Sequence, residues 1–292
     1  MTAPGNSPLG PPLGEPVAVT AGQQDWARVR EDLVAHGTAL AYAQLSDLYK
    51  ALPEGEELRT LLGRDWSRFL DLSHAEVRDR YAASRVLLKH AAGAVLGGDP
   101  SALELAYGPT GRPYLRGCDQ IDISLSHTED LLLVGLTTRG LVGVDAERTD
   151  RPMYGSGLGR HVCTPYELVM LRNLPEPERN PSLVRLWTLK EAYSKAIGQG
   201  MHFRFTEFGF GPDGKPVRVQ RPDGTTGTGR EWAFRTFVLD SGYTVSTAVY
   251  DAGFGTLLDT EITTMLDQDC VEAITEALEN EALENEALEN EA

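Results

Sequence analysis

Segments that predict helices are followed by segments that predict strands, and this order occurs twice along the 292-residue chain. In the first part, residues 24–52 and 75–96 have helical periodicity, and residues 121–147 contain alternating or continuous apolar runs typical of strands. The second part has helical patterns at 165–172 and 181–198, and strand patterns at 203–210, 216–220, 231–239 and 244–250. This order predicts an α+β fold made of two similar halves.

Glycine-containing turns separate the predicted elements. Gly97-Gly98-Asp99-Pro100 ends the second predicted helix, because this combination does not continue a helix. Arg139-Gly140 predicts a hairpin turn between the last two strands of the first half.

The two ends of the chain differ from its body. Residues 1–20 are rich in Pro and Gly and predict a disordered leader. Residues 258–292 are strongly acidic and contain the sequence EALEN three times. A five-residue period turns each Leu about 140° from the last on a helix, so these Leu residues form no single apolar stripe. We therefore expect a solvated tail, with the body divided into halves at 21–143 and 144–257.

Charge, hydropathy and cysteine content exclude several classes of protein. The formal net charge of −16 comes largely from the tail, and the mildly acidic body argues against a nucleic-acid partner. The sequence contains no run of about eighteen apolar residues, so we expect no membrane span. The N-terminus lacks the basic and apolar stretches of a secretory signal. Three widely spaced cysteines form no metal-binding pattern and favour a cytoplasmic protein with reduced thiols.

Three carboxylates are the main candidates for chemistry. Asp145 and Glu147 are two residues apart in the predicted strand LVGVDAE, so their side chains leave the same face. Glu191 lies in the predicted helix LWTLKEAYSK, one turn before Lys195. Together they could form an all-oxygen site of the kind that Mg²⁺ prefers. The alternative is a solvated strand face and an ordinary surface ion pair.

Several polar and basic side chains are candidates for phosphate binding. Ser126, His127 and Thr128 form a turn whose hydroxyl, imidazole and backbone groups can donate hydrogen bonds. Basic residues that could assist are Arg85 and Lys89 on one helix face, Arg112 in a turn, and Lys190 beside Glu191. The alternative for the Ser-His-Thr segment is an ordinary polar turn. The alternative for each basic residue is a solvated position on the surface. The sequence contains no nucleophile motif, so we expect a substrate to supply the attacking group.

Four blocks carry a resemblance to a known family. GPTGRPYL, ISLSHTED, VGVDAERTD and LWTLKEAYSKAIGQGM resemble, in order and spacing, the signature blocks of surfactin-type 4′-phosphopantetheinyl transferases. The similarity spans about residues 80–210. It implies two α+β halves related by a pseudo-twofold axis, with an active site at their junction, so that a monomer is sufficient. The implied reaction moves 4′-phosphopantetheine from coenzyme A to a serine of an apo acyl or peptidyl carrier protein, and adenosine 3′,5′-bisphosphate leaves.

The resemblance also implies roles for individual residues. Asp145, Glu147 and Glu191 correspond to ligands of magnesium, and water would fill the place beside Ala146. Glu191 is in addition the candidate base for the serine proton, directly or through water. Lys195 corresponds to a lysine that stabilises the leaving pyrophosphate. Contacts with coenzyme A are implied for Arg85, Arg112, Ser126, His127, Lys190 and Lys195.

Residues 149–174 correspond to the segment that docks the carrier, where Arg160, His161 and Arg172 could meet an acidic helix. The alternative function is a non-catalytic module that binds coenzyme A or a carrier protein.

Overall fold

The computed structural model describes residues 13–19, 24–200, 203–211, 218–227 and 231–253. Residues 1–256 and 257–292 are two separate units, and the described residues all belong to the first. The predicted acidic tail, and most of the predicted leader, lie outside the described residues.

Helices dominate the N-terminal part of the chain. Its first elements are β1 (Val17–Ala18), α1 (Gln24–His36), β2 (Thr38–Gln44), α2 (Leu45–Ala51), α3 (Gly55–Leu62), α4 (Trp66–Asp71) and α5 (Ala75–Leu96). The prediction of α5 is confirmed. The single helical stretch predicted over residues 24–52 is wrong, because β2 interrupts it. Gly37, with a φ of +68°, ends α1, and the almost wholly buried residues that follow pair with a later strand.

The first sheet has the strand order β1-β2-β6-β5, where β5 is Asp122–Thr128 and β6 is Leu131–Thr137. β5 and β6 are antiparallel neighbours joined at Glu129 and Asp130. A separate two-stranded sheet pairs β3 (Leu105–Tyr107) with β4 (Pro113–Leu115). The predicted strands of this region are confirmed, and β5 forms one edge of the larger sheet. The predicted turn at Ser126, His127 and Thr128 is wrong, because these residues are the last three of β5 and pair with β6.

A second, three-stranded sheet has the order β7-β9-β8. The remaining elements are β7 (Gly140–Arg148), α6 (Gly159–Val162), α7 (Pro165–Asn173), α8 (Glu176–Ala196), β8 (Trp232–Val238) and β9 (Tyr243–Asp251). Helix α7 and strands β8 and β9 agree with the predicted ones, α8 begins five residues before the predicted start at Pro181, and α6 was not predicted. The expected boundary between residues 143 and 144 falls inside β7. The chain is therefore a mixed α+β protein.

Two local predictions in this region are wrong. Arg139-Gly140 is not a hairpin turn, because β6 and β7 belong to different sheets. Their apolar faces pack against each other in one core, which includes Leu131 and Leu133 from β6 and Val142 and Val144 from β7.

The segment 203–210 is not a strand. It contains a 3₁₀ turn at Phe205–Glu207, and only an isolated bridge joins Gly209 to Gln220. The carbonyl groups of Phe205 and Phe208 are bound by a lysine side chain of α8, so they cannot join a strand ladder. Of the predicted strand 216–220, residues 218–220 are described, and Gln220 makes isolated bridges only.

Helix α8 lies directly on β7. A Cβ atom at Gly143 would overlap the carbonyl oxygen of Ala192 and would lie 2.5 Å from the backbone nitrogen of Ala196. Only a residue without a side chain permits this approach. The contact places the C-terminal half of α8 against the middle of β7, on the face that carries Asp145.

Among the helices that the structure describes, none combines the length and the apolar character required to cross a membrane.

Candidate active site

The edges of the two sheets meet between β5 and β7 through side chains instead of a backbone ladder. Every second residue of β5 takes part, since alternate side chains of a strand leave the same face. Asp122 Oδ2 accepts from Val142 N at 2.7 Å, Ser124 Oγ accepts from Val144 N at 3.1 Å, Ser126 Oγ donates to Asp145 Oδ1 at 2.8 Å, and Thr128 Oγ1 donates to Glu147 Oε1 at 3.1 Å. We call this set of four bonds the β5–β7 seam.

Asp145 is buried at the centre of the site, with 6% of its surface exposed. Its Oδ1 atom accepts hydrogen bonds from Lys195 Nζ at 2.7 Å and from Ser126 Oγ at 2.8 Å. Lys195 Nζ also donates to Ser126 Oγ at 3.0 Å and to the carbonyl of Val144 at 3.2 Å. These bonds link β5, β7 and α8 at one point and hold a positive charge beside a buried carboxylate.

Glu147 is the second buried carboxylate of β7, with 6% exposure. Its Oε1 atom accepts from Thr128 Oγ1 and, at 2.9 Å, from the backbone nitrogen of Arg148. Its Oε2 atom forms an ion pair with Arg151. The carboxylate is therefore fixed from three directions.

Glu191 differs from the other two carboxylates. It is 9% exposed, and within the described residues its carboxylate accepts no hydrogen bond. Burial and the negative charge of Asp145 raise the pKa of Glu191 to about 7, and the positive charge of Lys195 opposes this rise. A carboxylate with this pKa can take up or release a proton near neutral pH.

The three carboxylates have the oxygen chemistry that suits Mg²⁺, and the repulsion between Asp145 and Glu191 is what a cation would relieve. Over the part of the chain that the structure describes, however, no three such side chains are grouped closely enough to hold a metal ion. Lys195 and Arg151 instead balance the charges of Asp145 and Glu147. The three carboxylates thus have the chemistry of a magnesium site. In the structure, however, two of them are neutralised by the basic side chains of Lys195 and Arg151.

Ser126 and His127, the predicted phosphate contacts, have different environments. Ser126 is 4% exposed, and its hydroxyl is engaged with Asp145 and Lys195. His127 is exposed, although parts of its ring pack against the protein. Its pKa is lowered, first by this packing and then by the positive charges of Arg80, Lys195 and Arg85, while Asp145 opposes the change. A neutral imidazole among cations is suited to a phosphate group.

Arg85 lies in an aromatic and acidic cluster beside this region. Its guanidinium stacks 3.8 Å from the ring centre of Tyr81, and its Nε atom donates to Tyr107 Oη at 3.1 Å. Asp65 accepts hydrogen bonds from both tyrosines. The neighbouring Lys89 cannot bind a phosphate, because it is 2% exposed and donates to the carbonyl of Leu61 at the end of α3.

The Arg112 side chain is bonded to other parts of the protein. Its guanidinium makes two bonds to Asp122 and one to the carbonyl of Val142, and its Nε atom donates to the carbonyl of Lys195 at 2.9 Å. Four of the five N–H groups are thus used, which leaves little for a ligand. Arg112 therefore ties the turn before β4 to β5, β7 and the end of α8. Its predicted contact with coenzyme A stays a prediction.

The prediction that Lys190 contacts coenzyme A is wrong. Its side chain is completely buried, forms an ion pair with Glu167 at 2.6 Å, and donates to the carbonyl groups of Val162, Phe205 and Phe208, each at 2.7 Å. It points away from Glu191 because consecutive helix residues are about 100° apart. Lys190 joins α6, α7 and the 203–210 segment to α8, and no phosphate can reach it.

The structure adds residues that the sequence analysis did not single out for the site. Arg80 contributes positive charge near His127, and Arg151 pairs with Glu147. Arg80 lies five residues before Arg85 in the same helix, about 140° round its axis, so helical spacing did not place the two side chains on one face and did not indicate Arg80. Nothing in the sequence indicated Arg151, because its contact depends on how the chain turns after β7.

Comparisons with known proteins identify the family of the chain. The model of the 4′-phosphopantetheinyl transferase superfamily matches residues 141–248, which include β7, α8 and β8. The chain is 30% identical over 217 residues to the 4′-phosphopantetheinyl transferase HetI of Nostoc sp., covering 73% of this chain and 84% of that protein. It is 22% identical over 152 residues to a 4′-phosphopantetheinyl transferase of Bacillus subtilis, covering 52% of this chain and 66% of that protein. The chain therefore belongs to the 4′-phosphopantetheinyl transferase superfamily, and its activity is the transfer of a 4′-phosphopantetheinyl group from coenzyme A.

Proposed function

We propose that the chain is a surfactin-type transferase that moves 4′-phosphopantetheine to a serine hydroxyl of apo acyl or peptidyl carrier proteins and releases adenosine 3′,5′-bisphosphate. The observation that carries the proposal is the position of Glu191, a buried carboxylate without a hydrogen-bond partner among the described residues, beside the Asp145–Lys195 pair. The carrier would supply the attacking hydroxyl, in agreement with the absence of a nucleophile motif in the sequence.

The proposed site lies at the junction of two halves related by a pseudo-twofold axis, with the division at 143/144. The β5–β7 seam supports this location, because it joins the edge strands of two different sheets next to Asp145 and Glu147. One chain supplies both edges, so a monomer would contain a complete site.

Each of the central side chains has a proposed task. Asp145, Glu147 and Glu191 would hold Mg²⁺, which when bound offsets negative charge on the pyrophosphate. Lys195 Nζ lies in the same group and would stabilise the charge that develops on the leaving phosphate oxygens. Glu191 would also accept the serine proton at a carboxylate oxygen, directly or through water, and its burial without a hydrogen-bond partner among the described residues is consistent with this task.

Coenzyme A would be bound on the side of His127. Arg80, Arg85 and Lys195 surround this residue with positive charge, as a ligand with several phosphates requires. The carrier would dock on the segment that contains α6 and α7, where Arg160, His161 and Arg172 are exposed. Such a basic surface suits an acidic carrier helix.

The proposed reaction is tested directly by incubating the protein with coenzyme A, magnesium and an apo-carrier. We expect the carrier to gain the mass of one phosphopantetheine, and we expect excess chelator to abolish this gain. Transfer that continues unchanged in chelator would overturn the metal assignment. A panel of apo-carriers from fatty-acid, polyketide and peptide synthases would identify the partner class, and the predicted cytoplasmic location stays open to test by cell fractionation.

Lys195→Ala is expected to reduce turnover by roughly 10²- to 10³-fold, because the lost cation acts on charge that develops in the transition state. The Michaelis constant for coenzyme A should change much less. The exposed Lys50, which pairs with Asp47 on α2, provides the matched control Lys50→Ala, which should retain activity. An effect of Lys195→Ala confined to coenzyme A affinity would contradict this role.

A further inference from the structure

We propose that Thr128 is a positioning residue for the transfer reaction: its hydroxyl anchors the Glu147 carboxylate to the first sheet, beside Asp145, and this anchoring strengthens the binding of Mg²⁺. This inference rests on the proposed role of Glu147 as a metal ligand. Thr128 itself touches no reacting atom in this proposal and acts through Glu147.

The contact is local and well defined. Thr128 is the last residue of β5, and Glu147 lies one residue before the end of β7. The half-buried hydroxyl of Thr128 donates to Glu147 Oε1 at 3.1 Å. A carboxylate oxygen accepts only, so the direction of this hydrogen bond is fixed.

The other contacts of Glu147 do not replace this bond. The backbone nitrogen of Arg148 donates to the same oxygen but belongs to the adjacent residue, so it moves with β7. Arg151 pairs with Oε2, and its side chain is 48% exposed and can move into solvent. Among the described residues, Thr128 is therefore the one that fixes Glu147 relative to the first sheet.

The pattern of the β5–β7 seam supports this interpretation. Ser126 precedes Thr128 by two residues on β5, and Asp145 precedes Glu147 by two residues on β7. The hydroxyl of Ser126 donates to Asp145 just as that of Thr128 donates to Glu147. The carboxylates of β7 are thus each oriented by a hydroxyl of β5, and the spacing of two residues on both strands keeps the pairs in register. Partners that orient metal ligands in this way typically change metal affinity by about 10- to 100-fold when removed.

The test compares three variants for Mg²⁺ binding by isothermal titration calorimetry, in the absence of coenzyme A and carrier. Thr128→Val keeps the shape of the side chain and removes the donor, and we expect about 10- to 100-fold weaker binding. Thr128→Ser keeps the hydroxyl and should restore binding close to that of the original protein. Thr236→Val is the matched control, because it removes a half-buried hydroxyl that bonds Ser246 at 2.9 Å and leaves Glu147 untouched.

In the transfer assay, Thr128→Val should raise the magnesium concentration for half-maximal rate by a similar factor, with the Michaelis constant for coenzyme A nearly unchanged. Equal Mg²⁺ binding by Thr128→Val and the original protein overturns the inference, as does an equal loss in Thr236→Val. Failure of the proposed function has a different signature, since the original protein would then transfer no phosphopantetheine or would need no metal. An original protein without Mg²⁺ binding overturns the inference and the metal assignment together.

Discussion

Glu191→Ala is expected to lower transfer by roughly 10²- to 10⁴-fold, the range for the loss of a positioned acid or base. The variant should fold normally, because the Glu191 carboxylate holds no hydrogen-bond partner among the described residues and is repelled by Asp145. Removing such a group leaves no buried donor unsatisfied. Mass spectrometry of the product measures the rate of transfer, and thermal unfolding followed by circular dichroism shows whether the variant is folded.

Glu178→Ala is the matched control for this experiment. Glu178 lies on the same helix but is exposed in its first turn, far from the Asp145–Lys195 pair. It should retain transfer and lose at most about 1 kcal/mol of stability, since an acidic residue near a helix N-terminus is worth little at the surface. Substantial transfer by Glu191→Ala in a folded protein would refute the roles proposed for Glu191 as base and as metal ligand.

Lys190→Met is expected to reduce the free energy of unfolding by about 3–5 kcal/mol, because it leaves the buried Glu167 without its cation. The carbonyl groups of Val162, Phe205 and Phe208 lose a donor at the same time. Urea or thermal unfolding measures the change. Glu167→Gln in the same chain should recover part of the loss, since a neutral amide is cheaper to bury than an unpaired carboxylate.

Lys50→Met provides the comparison for this experiment. Lys50 forms an ion pair whose side chains are 76% and 56% exposed, so its removal should cost less than about 1 kcal/mol. A Lys190→Met variant with normal stability and weaker coenzyme A binding would show that Lys190 does contact the ligand, contrary to its burial.

Strong local patterns predicted much of the fold. α5 has sustained helical periodicity and a glycine after its last residue, and apolar residues alternate along β7 and β9 as in strands, although both faces of these strands are largely buried. β2 was not predicted, because TALAYAQ consists mostly of small apolar residues that fit a helix equally well. The segment forms a strand because it pairs with β6, about a hundred residues later in the chain. A local sequence pattern does not show which distant segment will pair with it.

Residue types indicated several of the side chains that the structure brings together around Asp145, but tertiary contacts decide the environments of two basic candidates. Lys190 is adjacent to Glu191 in sequence, and helical rotation sends it into the core beside Glu167. Arg112 occurs in a glycine-rich turn that resembles a ligand loop, yet it meets Asp122 and the end of α8. A long cation satisfied by buried carbonyls cannot be distinguished from a ligand-binding one without the surrounding tertiary structure.

The close contact between Gly143 and Ala192 determines how near the proposed catalytic residues of α8 and β7 lie to each other. Asp145 follows Gly143 by two residues, and Glu191 precedes Ala192 by one, so the distance between their backbones depends on how closely strand and helix approach. Any side chain at 143 would push α8 outward and separate Glu191 and Lys195 from Asp145 together. The separation between Asp145 and Glu191 thus depends on Gly143, a residue without a side chain.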